Sequence, residues 1–311
     1  MAFGFLRTAN QKHTRGWLGL EVSNDGIAIA LVQKNNGDRP CLSCCEFISK
    51  DVITSTEQTL RDRISALGLN KTPCNWVLVN PEYNLLLVET PKVADVTELR
   101  EAMRWRIKDL ITFPVEDAVV DVFPLPSDGT RGAPMSYVVV AERSHIQTVV
   151  DLAVSAKIKL QNIDISELAL RNIADLIHTD NRGTCLVRLR QGQGNLAMVK
   201  QSQVYLSRQF ELPYNAGLLD DLPEEKLVLE LQRSIDYYER QLAQVPPAHL
   251  LFCGENLSED KLTEDIRRSL PGASACMQIG ELLDGGDQWE ESHLQLCVGA
   301  IGGALRRGVA A

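Results

Sequence analysis

What the chain lacks narrows its chemistry first. No run approaches the ~20 apolar residues that a membrane-spanning helix needs, so work at a membrane would require another anchor. There is no long basic tract, and 32 Lys and Arg stand against 41 Asp and Glu, a net charge of −9. Nucleic acid is therefore not an expected partner, because phosphate neutralisation needs clustered cations. No secretory leader is expected, since only a short apolar tip precedes Arg7 and Lys12. The five histidines (13, 145, 178, 249 and 293) show no His-x-x-x-His spacing and no nucleophile–base pattern, which argues against Ser or Cys hydrolase chemistry. The eight cysteines (41, 44, 45, 74, 185, 253, 276 and 297) mostly sit in apolar runs and read as reduced thiols of a cytosolic protein. Cys41-x-x-Cys44-Cys45 has Cys74 as its nearest further ligand, with no second such pair and no His pair. On a strand these residues also alternate faces, so packed thiols and no metal are expected.

What is there is a hairpin pattern written twice. Leu18-Gly-Leu-Glu-Val-Ser-Asn-Asp-Gly-Ile-Ala-Ile-Ala-Leu-Val-Gln33 returns as Leu186-Val-Arg-Leu-Arg-Gln-Gly-Gln-Gly-Asn-Leu-Ala-Met-Val-Lys-Gln201. In each, an alternating strand enters a turn of Gly and small polar residues, and an apolar strand leaves it. A third strand-like run follows each copy, at 41–48 and 204–210. A meander begun twice predicts two related lobes with a cleft between them, and a chain of 311 residues is long enough for two cores.

Between the copies, helices are predicted over 54–67, 98–111, 143–156 and 166–177. Asp95 and Glu98 form a capping box for the second of these, and Ser166 serves as N-cap for the last. Strands are predicted at 75–79 and 85–89, paired with each other around Pro81, and at 118–123, 136–141 and 163–165. After the second hairpin, a long helix spans 223–242. It is followed by a strand at 249–253, a helix at 259–270, a possible strand at 275–279 and a closing helix at 292–305. Gly299 and Gly303 read as a helix packed closely under the second sheet. Arg100, Arg104 and Lys108 form a basic stripe beside the apolar face of Leu99, Met103 and Ile107. Residues 1–14 read as a flexible tail whose two Phe bury too little for membrane insertion.

Five blocks, in order along the chain, resemble the PilM branch of the actin-like ATPases. They are Gly19–Ala28 in the first hairpin, residues 99–117 around Leu99-Arg-Glu-Ala-Met-Arg-Trp-Arg-Ile107 and Thr-Phe-Pro114, and Asn162-Ile-Asp-Ile-Ser-Glu-Leu-Ala-Leu170. The other two are Leu229-Glu-Leu-Gln-Arg-Ser-Ile-Asp-Tyr-Tyr238 with Leu250-Leu-Phe-Cys-Gly254, and Val298-Gly-Ala-Ile-Gly-Gly-Ala-Leu305. The resemblance implies an α/β, actin-like (ribonuclease-H-like) two-lobed fold with a small α/β subdomain inserted in the first lobe, as in PilM and FtsA. Residues 15–72 and 156–182 would form the first lobe, 73–155 the insertion, 183–211 and 249–311 the second lobe, and 212–248 its helical subdomain. It also implies a cytoplasmic protein held at the inner membrane in an MSHA-type type IV pilus machine by the cytoplasmic tail of a PilN-like bitopic partner. Leu99, Arg100, Met103, Arg104, Ile107 and Lys108 are the residues expected to meet that tail, with strands at 75–89 as the other wall. Homodimerisation, common among actin-like folds, stays open.

The resemblance further assigns a nucleotide site in reduced form to Glu21, Ser23, Asn24, Asp25, Gly26, Arg188, Arg190, Gly192, Gly194, Glu230, Arg233, Gly254 and Glu255. The family's first turn offers an acid, a Gly, hydroxyls and a Lys; here the Gly position is Ser23, the hydroxyl positions are Asn24 and Asp25, and the Lys position is Ala28. Its second turn offers Asp-x-Gly, and here those positions are Arg188 and Arg190. A cation cannot organise Mg²⁺, so ATP and magnesium are not expected as cofactors, nor is catalysis. Arg190, Gly192 and Gly194 remain as residues able to hold an anion. Glu21 occupies the position matching Arg188, so a Glu21 pair with Arg188 or Arg190 is expected to bridge the lobes; the alternative is two solvated charges. The rivals to a binding scaffold are a working PilM-like ATPase and an FtsA-type division scaffold. Residues 305–311 are too short for the membrane helix of the latter.

Overall fold

The computed structural model describes residues 16–33, 39–92, 95–130, 132–177 and 181–306. The tail at 1–14, His13, His178 and the last five residues lie outside them. The first lobe begins with the meander β1 (Gly16–Val22), β2 (Gly26–Gln33) and β3 (Cys41–Ser49), followed by α1 (Thr56–Ala66) and β4 (Pro73–Leu78). An insertion then carries β5 (Asn84–Glu89), α2 (Val96–Arg106), β6 (Ala118–Pro124) and β7 (Met135–Glu142). The chain returns through α3 (Arg143–Ser155), β8 (Lys159–Ile165) and α4 (Ser166–Ala174). The second lobe repeats the plan with β9 (Thr184–Arg190), β10 (Gln193–Lys200), β11 (Gln203–Glu211), α5 (Glu224–Arg240), β12 (His249–Gly254), α6 (Glu264–Ser269) and β13 (Ala273–Cys276). It ends in α7 (Glu291–Leu296) and α8 (Val298–Ala304).

The two large sheets have the same order, β3-β2-β1-β4-β8 and β11-β10-β9-β12-β13, antiparallel within each meander and parallel beyond it. Strand alternation sorts their faces. Leu18, Leu20, Ile27, Ile29 and Leu31 pack outward with Leu60 of α1 and Val149 of α3. Cys185, Val187, Leu189, Leu196 and Met198 pack outward with Leu227, Leu231 and Ile235 of α5. The inner faces carry small residues, Ala28, Ala30 and Ala197, and close on α4 and α8.

Several expectations are corrected. Residues 73–78 do not hairpin with 84–89. β4 pairs in parallel with β1 and β8, because Trp76, Val77 and Leu78 are apolar on both faces and suit a central strand. β5 pairs instead with β7. The insertion is thus shorter than 73–155, since α3 also packs on the first sheet. Residues 212–248 are no separate subdomain: α5 is the second sheet's own covering helix, with Leu227, Leu231, Ile235 and Tyr238 on one buried stripe. The closing helix is two, broken at Cys297. Its second half packs on the first sheet, where a Cβ on Gly19 would overlap the Ala300 carbonyl and one on Gly303 would meet Val77. α4 makes the reciprocal crossing, with Leu170 and Ile173 in one cluster with Leu186 and Ala197 of the second sheet, and its Ala169 backbone lies against Gly302. Ser166 is not a cap; its hydroxyl donates to the Leu78 carbonyl at 3.1 Å.

Candidate functional site

Strand alternation delivers the site. Glu21 shares the inner face of β1 with Gly19, and Arg188 and Arg190 share the inner face of β9 with Leu186, so the charges meet where the two central strands end between the lobes. Arg188 donates from Nη1 to Oε2 and from Nη2 to Oε1 of Glu21, both at 2.7 Å. The pair is bidentate and nearly dry, with side-chain exposures of 6% and 3%. Arg190 donates through Nε to Oδ2 of Asp25 at 3.0 Å and through Nη2 to the same oxygen, and it reaches Oε1 of Glu21 at 3.5 Å. Burial alone would raise the Glu21 pKa, but the Arg188 charge and hydrogen bonds, with Arg190 behind them, hold it below the ordinary carboxylate value. Arg188 is correspondingly shifted up: burial disfavours its charge and Glu21 more than restores it. The two solvated charges of the alternative reading are not what forms.

The first turn is closed on itself. Ser23 N–H donates to the Gly26 carbonyl at 2.9 Å and Asp25 N–H to Ser23 Oγ at 3.3 Å, which leaves these amides engaged within the turn. Gly26 has φ +155° and a Cβ there would strike the Ile48 carbonyl. The second lobe contributes Gly254 and Glu255 at the end of β12. Burial pushes the Glu255 carboxyl up, with the Asp25 charge adding to it and Arg190 opposing. Two pockets flank the ion pairs. One is lined by Val79, Asn80, Ser166, Arg188, Arg190 and Gln193 among others; the other, at the first turn, by Glu21, Ser23, Asp25, Arg188, Arg190 and Glu255 among others. In the second the acids outnumber the guanidiniums, which on that side does not favour a triphosphate.

Other assigned residues stand elsewhere. Asn24 is exposed on the turn. Gly192 N–H donates to the Tyr214 carbonyl and its own carbonyl accepts from Leu212 N–H, while Gly194 is a ladder residue packed on Phe210. Neither glycine offers an anion a free amide, and the Arg190 guanidinium is engaged by Asp25 and Glu21. Glu230 and Arg233 pair at 3.0 Å, with Arg208 also on Glu230, against β11 rather than among the residues lining either pocket.

The partner stripe also divides. Met103 and Ile107 are fully buried against Val138 and Val140 of the three-stranded sheet and cannot meet a tail. Leu99 packs at the margin of the same core. Arg104 donates to the Ala118 carbonyl at 2.9 Å and Arg100 to Asp121 at 3.0 Å. Lys108 is exposed, as are Trp105 and Leu110. β4 is no wall because it is paired on both sides, whereas β5 and β6 are the edges of their sheet.

Two features were hidden from the sequence. Glu167, buried on α4, accepts from Tyr83 Oη at 2.5 Å, Gln209 Nε2 at 3.0 Å, Asn195 Nδ2 at 3.3 Å and Ser207 Oγ at 3.4 Å. It ties Tyr83 of the first half to two strands of the second lobe. Its one local signal, an acid in a helix's first turn, reads as a dipole effect. The other feature is Cys45, His293 and Cys297, whose donor atoms lie within 4.8 Å of one another, far apart in sequence.

This is the actin-like ATPase fold. Over 92% of its length the chain matches 98% of a chain of a PilM–PilN type IV pilus biogenesis complex, with TM-score 0.68 and 16% identity. It also matches the cytoplasmic domain of EpsL, an inner membrane component of the type II secretion system of Vibrio cholerae, with TM-score 0.51, 13% identity, and coverage of 90% of this chain and 92% of that one. A Bacteroides thetaiotaomicron protein with an actin-like ATPase fold and unknown function matches with TM-score 0.54 and 11% identity, over 94% and 99% of the respective chains. No family model and no curated protein matches the sequence. Among the described residues no helix is long and apolar enough to cross a membrane.

Proposed function

We propose that the chain is a non-hydrolysing actin-like scaffold of type IV pilus biogenesis, in the role of the MSHA pilus protein MshI. It stands at the cytoplasmic face of the inner membrane by gripping the cytoplasmic tail of a PilN-like bitopic protein. The observation that carries the reading is the bidentate Glu21–Arg188 pair, which spans the lobes where a magnesium-bound triphosphate would have to lie. A buried guanidinium at that position attracts the carboxylate that Mg²⁺ would need. The end-to-end likeness to a PilM–PilN chain supports the pilus setting and the partner. Among the described residues no further strand pairs with the outer edges of β5 and β6, and such an edge suits an extended tail, which gains main-chain hydrogen bonds by adding a strand.

Calorimetry of the purified chain with ATP and Mg²⁺, beside capture of the N-terminal peptide of the PilN-like protein, tests both halves. Retention of the peptide without nucleotide heat is the expected result. Sub-micromolar ATP affinity with steady phosphate release would establish the working ATPase instead, and a peptide that is not retained would remove the scaffold role.

A further inference from the structure

We infer that Cys45, His293 and Cys297 form a binding site for a thiophilic cation, zinc(II) in the first instance, that pins the edge of the first sheet to the end of the chain. The inference is independent of the reading of the cleft. Cys45 lies on β3, buried on the face that looks between the lobes. His293 lies on α7, and Cys297 is the fully buried residue at the break between α7 and α8. The two sulfurs and an imidazole nitrogen lie within 4.8 Å of one another, and His293 Nε2 stands 3.3 Å from the Cys45 carbonyl. Ligands about 2.0–2.3 Å from one zinc ion sit roughly 3.3–3.8 Å apart, so rotamer adjustments bring the three donors onto a single ion.

The donor set selects the metal. Two thiolates and one imidazole suit zinc(II) or copper(I) and disfavour magnesium or calcium, which take oxygen ligands. Binding exchanges protons for metal: both thiols release theirs to solvent, and the resulting thiolates offset the two charges of zinc. His293 is only half-buried, which gives an ion an entry path and leaves a water the fourth position of a tetrahedral site. The surroundings favour a clamp. β3 is an edge strand, and its start is already stitched to the segment before α7 by Leu42 N–H to the Asp284 carbonyl and Asp284 N–H to the Pro40 carbonyl. A metal at Cys45 would extend that seam to the helix break.

Titration of the metal-free, reduced full chain with cobalt(II) followed by zinc(II) tests the site. The expected result is one equivalent of cobalt(II) with a sulfur-to-cobalt charge-transfer band, displaced by zinc(II). Cys45→Ser and His293→Ala are each expected to weaken binding by about 100-fold or more, the upper end of what losing even a ligand's supporting partner costs, whereas Cys44→Ser, whose side chain packs on the opposite face of β3, should leave it unchanged. His293→Ala keeps the test open if Cys45→Ser does not fold. Stoichiometric binding of copper(I) with no zinc(II) binding would replace the ion and keep the ligands. Absence of the band, or a band that survives both substitutions, would overturn the site.

Discussion

At the scale of single residues, the buried charges predict opposite pH behaviour. The folded pKa of Glu21 lies below its ordinary 4.5. Its pairing with Arg188 therefore stabilises the fold above that pH, and the contribution is lost as the pH falls through the depressed folded value. Arg188→Ala leaves a buried carboxylate without its partner and should cost about 3–5 kcal/mol. Replacing both members by apolar residues, as in Glu21→Leu with Arg188→Met, should cost far less than the sum of the single changes. Urea denaturation of the four proteins of the cycle at pH 7 reads the coupling, and additive losses would mean the pair is not formed. Glu167 behaves the other way. Burial raises its pKa against the donors around it, Tyr83 first, so its contribution is full below about 4.5 and is lost as the pH rises through the elevated folded value. Glu167→Gln should flatten the stability profile on the alkaline side of that window. Glu167→Ala should cost about 1–3 kcal/mol below that window by orphaning buried donors, and less above it, where the wild-type carboxyl has lost its contribution. Unfolding midpoints measured across the pH range check both, and an unchanged profile in the Gln variant would show that Glu167 does not titrate there.

At the scale of elements, α8 explains the glycine at 299. A Cβ there would overlap Oε2 of Glu21 and come within 2.9 Å of Arg188 Nη1, so the helix can pass under the ion pair only without a side chain. Gly299→Ala should cost about 3 kcal/mol, the upper end for overpacking, read as a fall in denaturation midpoint at unchanged m-value. A loss below ~0.5 kcal/mol would mean the helix sits farther off. The same helix shows where sequence reading stops. Its close packing is legible in Gly299 and Gly303, but which sheet it packs on is not, because crossing from one lobe to the other leaves no mark in helical spacing. β4 failed for a related reason: a short apolar strand beside a proline fits a hairpin as well as a central parallel position, and only burial on both faces distinguishes them. The helix start was legible, with Asp95 Oδ1 accepting from Thr97 and Glu98 N–H at 2.7 and 2.9 Å. The stripe on the same helix misled, since Met103 and Ile107 are the apolar periodicity of a core.

At the scale of the whole molecule, the repeated hairpin was the legible part. Two copies of one meander require two sheets of one topology, and their matching positions put Glu21 within reach of Arg188 or Arg190, with two solvated charges as the alternative; that Arg188 makes the bidentate pair is visible only in the structure. What the repeat does not contain is the bracing between the halves. The insertion reaches across to the second lobe, where Tyr137 Oη donates to the Tyr205 carbonyl at 3.2 Å, Tyr205 Oη donates to Asp128 at 2.7 Å and Gln244 Nε2 donates to the Asp128 carbonyl at 2.7 Å. With the Glu21–Arg188 pair, the Glu167 hub and the crossing helices, the lobes are joined at separate places around the cleft. Such a body has little room for the hinge motion that a nucleotide would drive, because each brace must break for the lobes to part. Hydrogen exchange of the amides of Ser23 and Asp25, followed with and without millimolar ATP and Mg²⁺, makes this measurable. The Ser23 and Asp25 N–H groups are already bonded within the turn, so their protection should stay the same when nucleotide is added. Arg188→Ala, which removes the central brace, should lower protection along β1 and β9 in either condition. A gain of protection at the turn on adding nucleotide would show that the loop rearranges to clasp phosphate, and the lobes would then be hinged around the cleft.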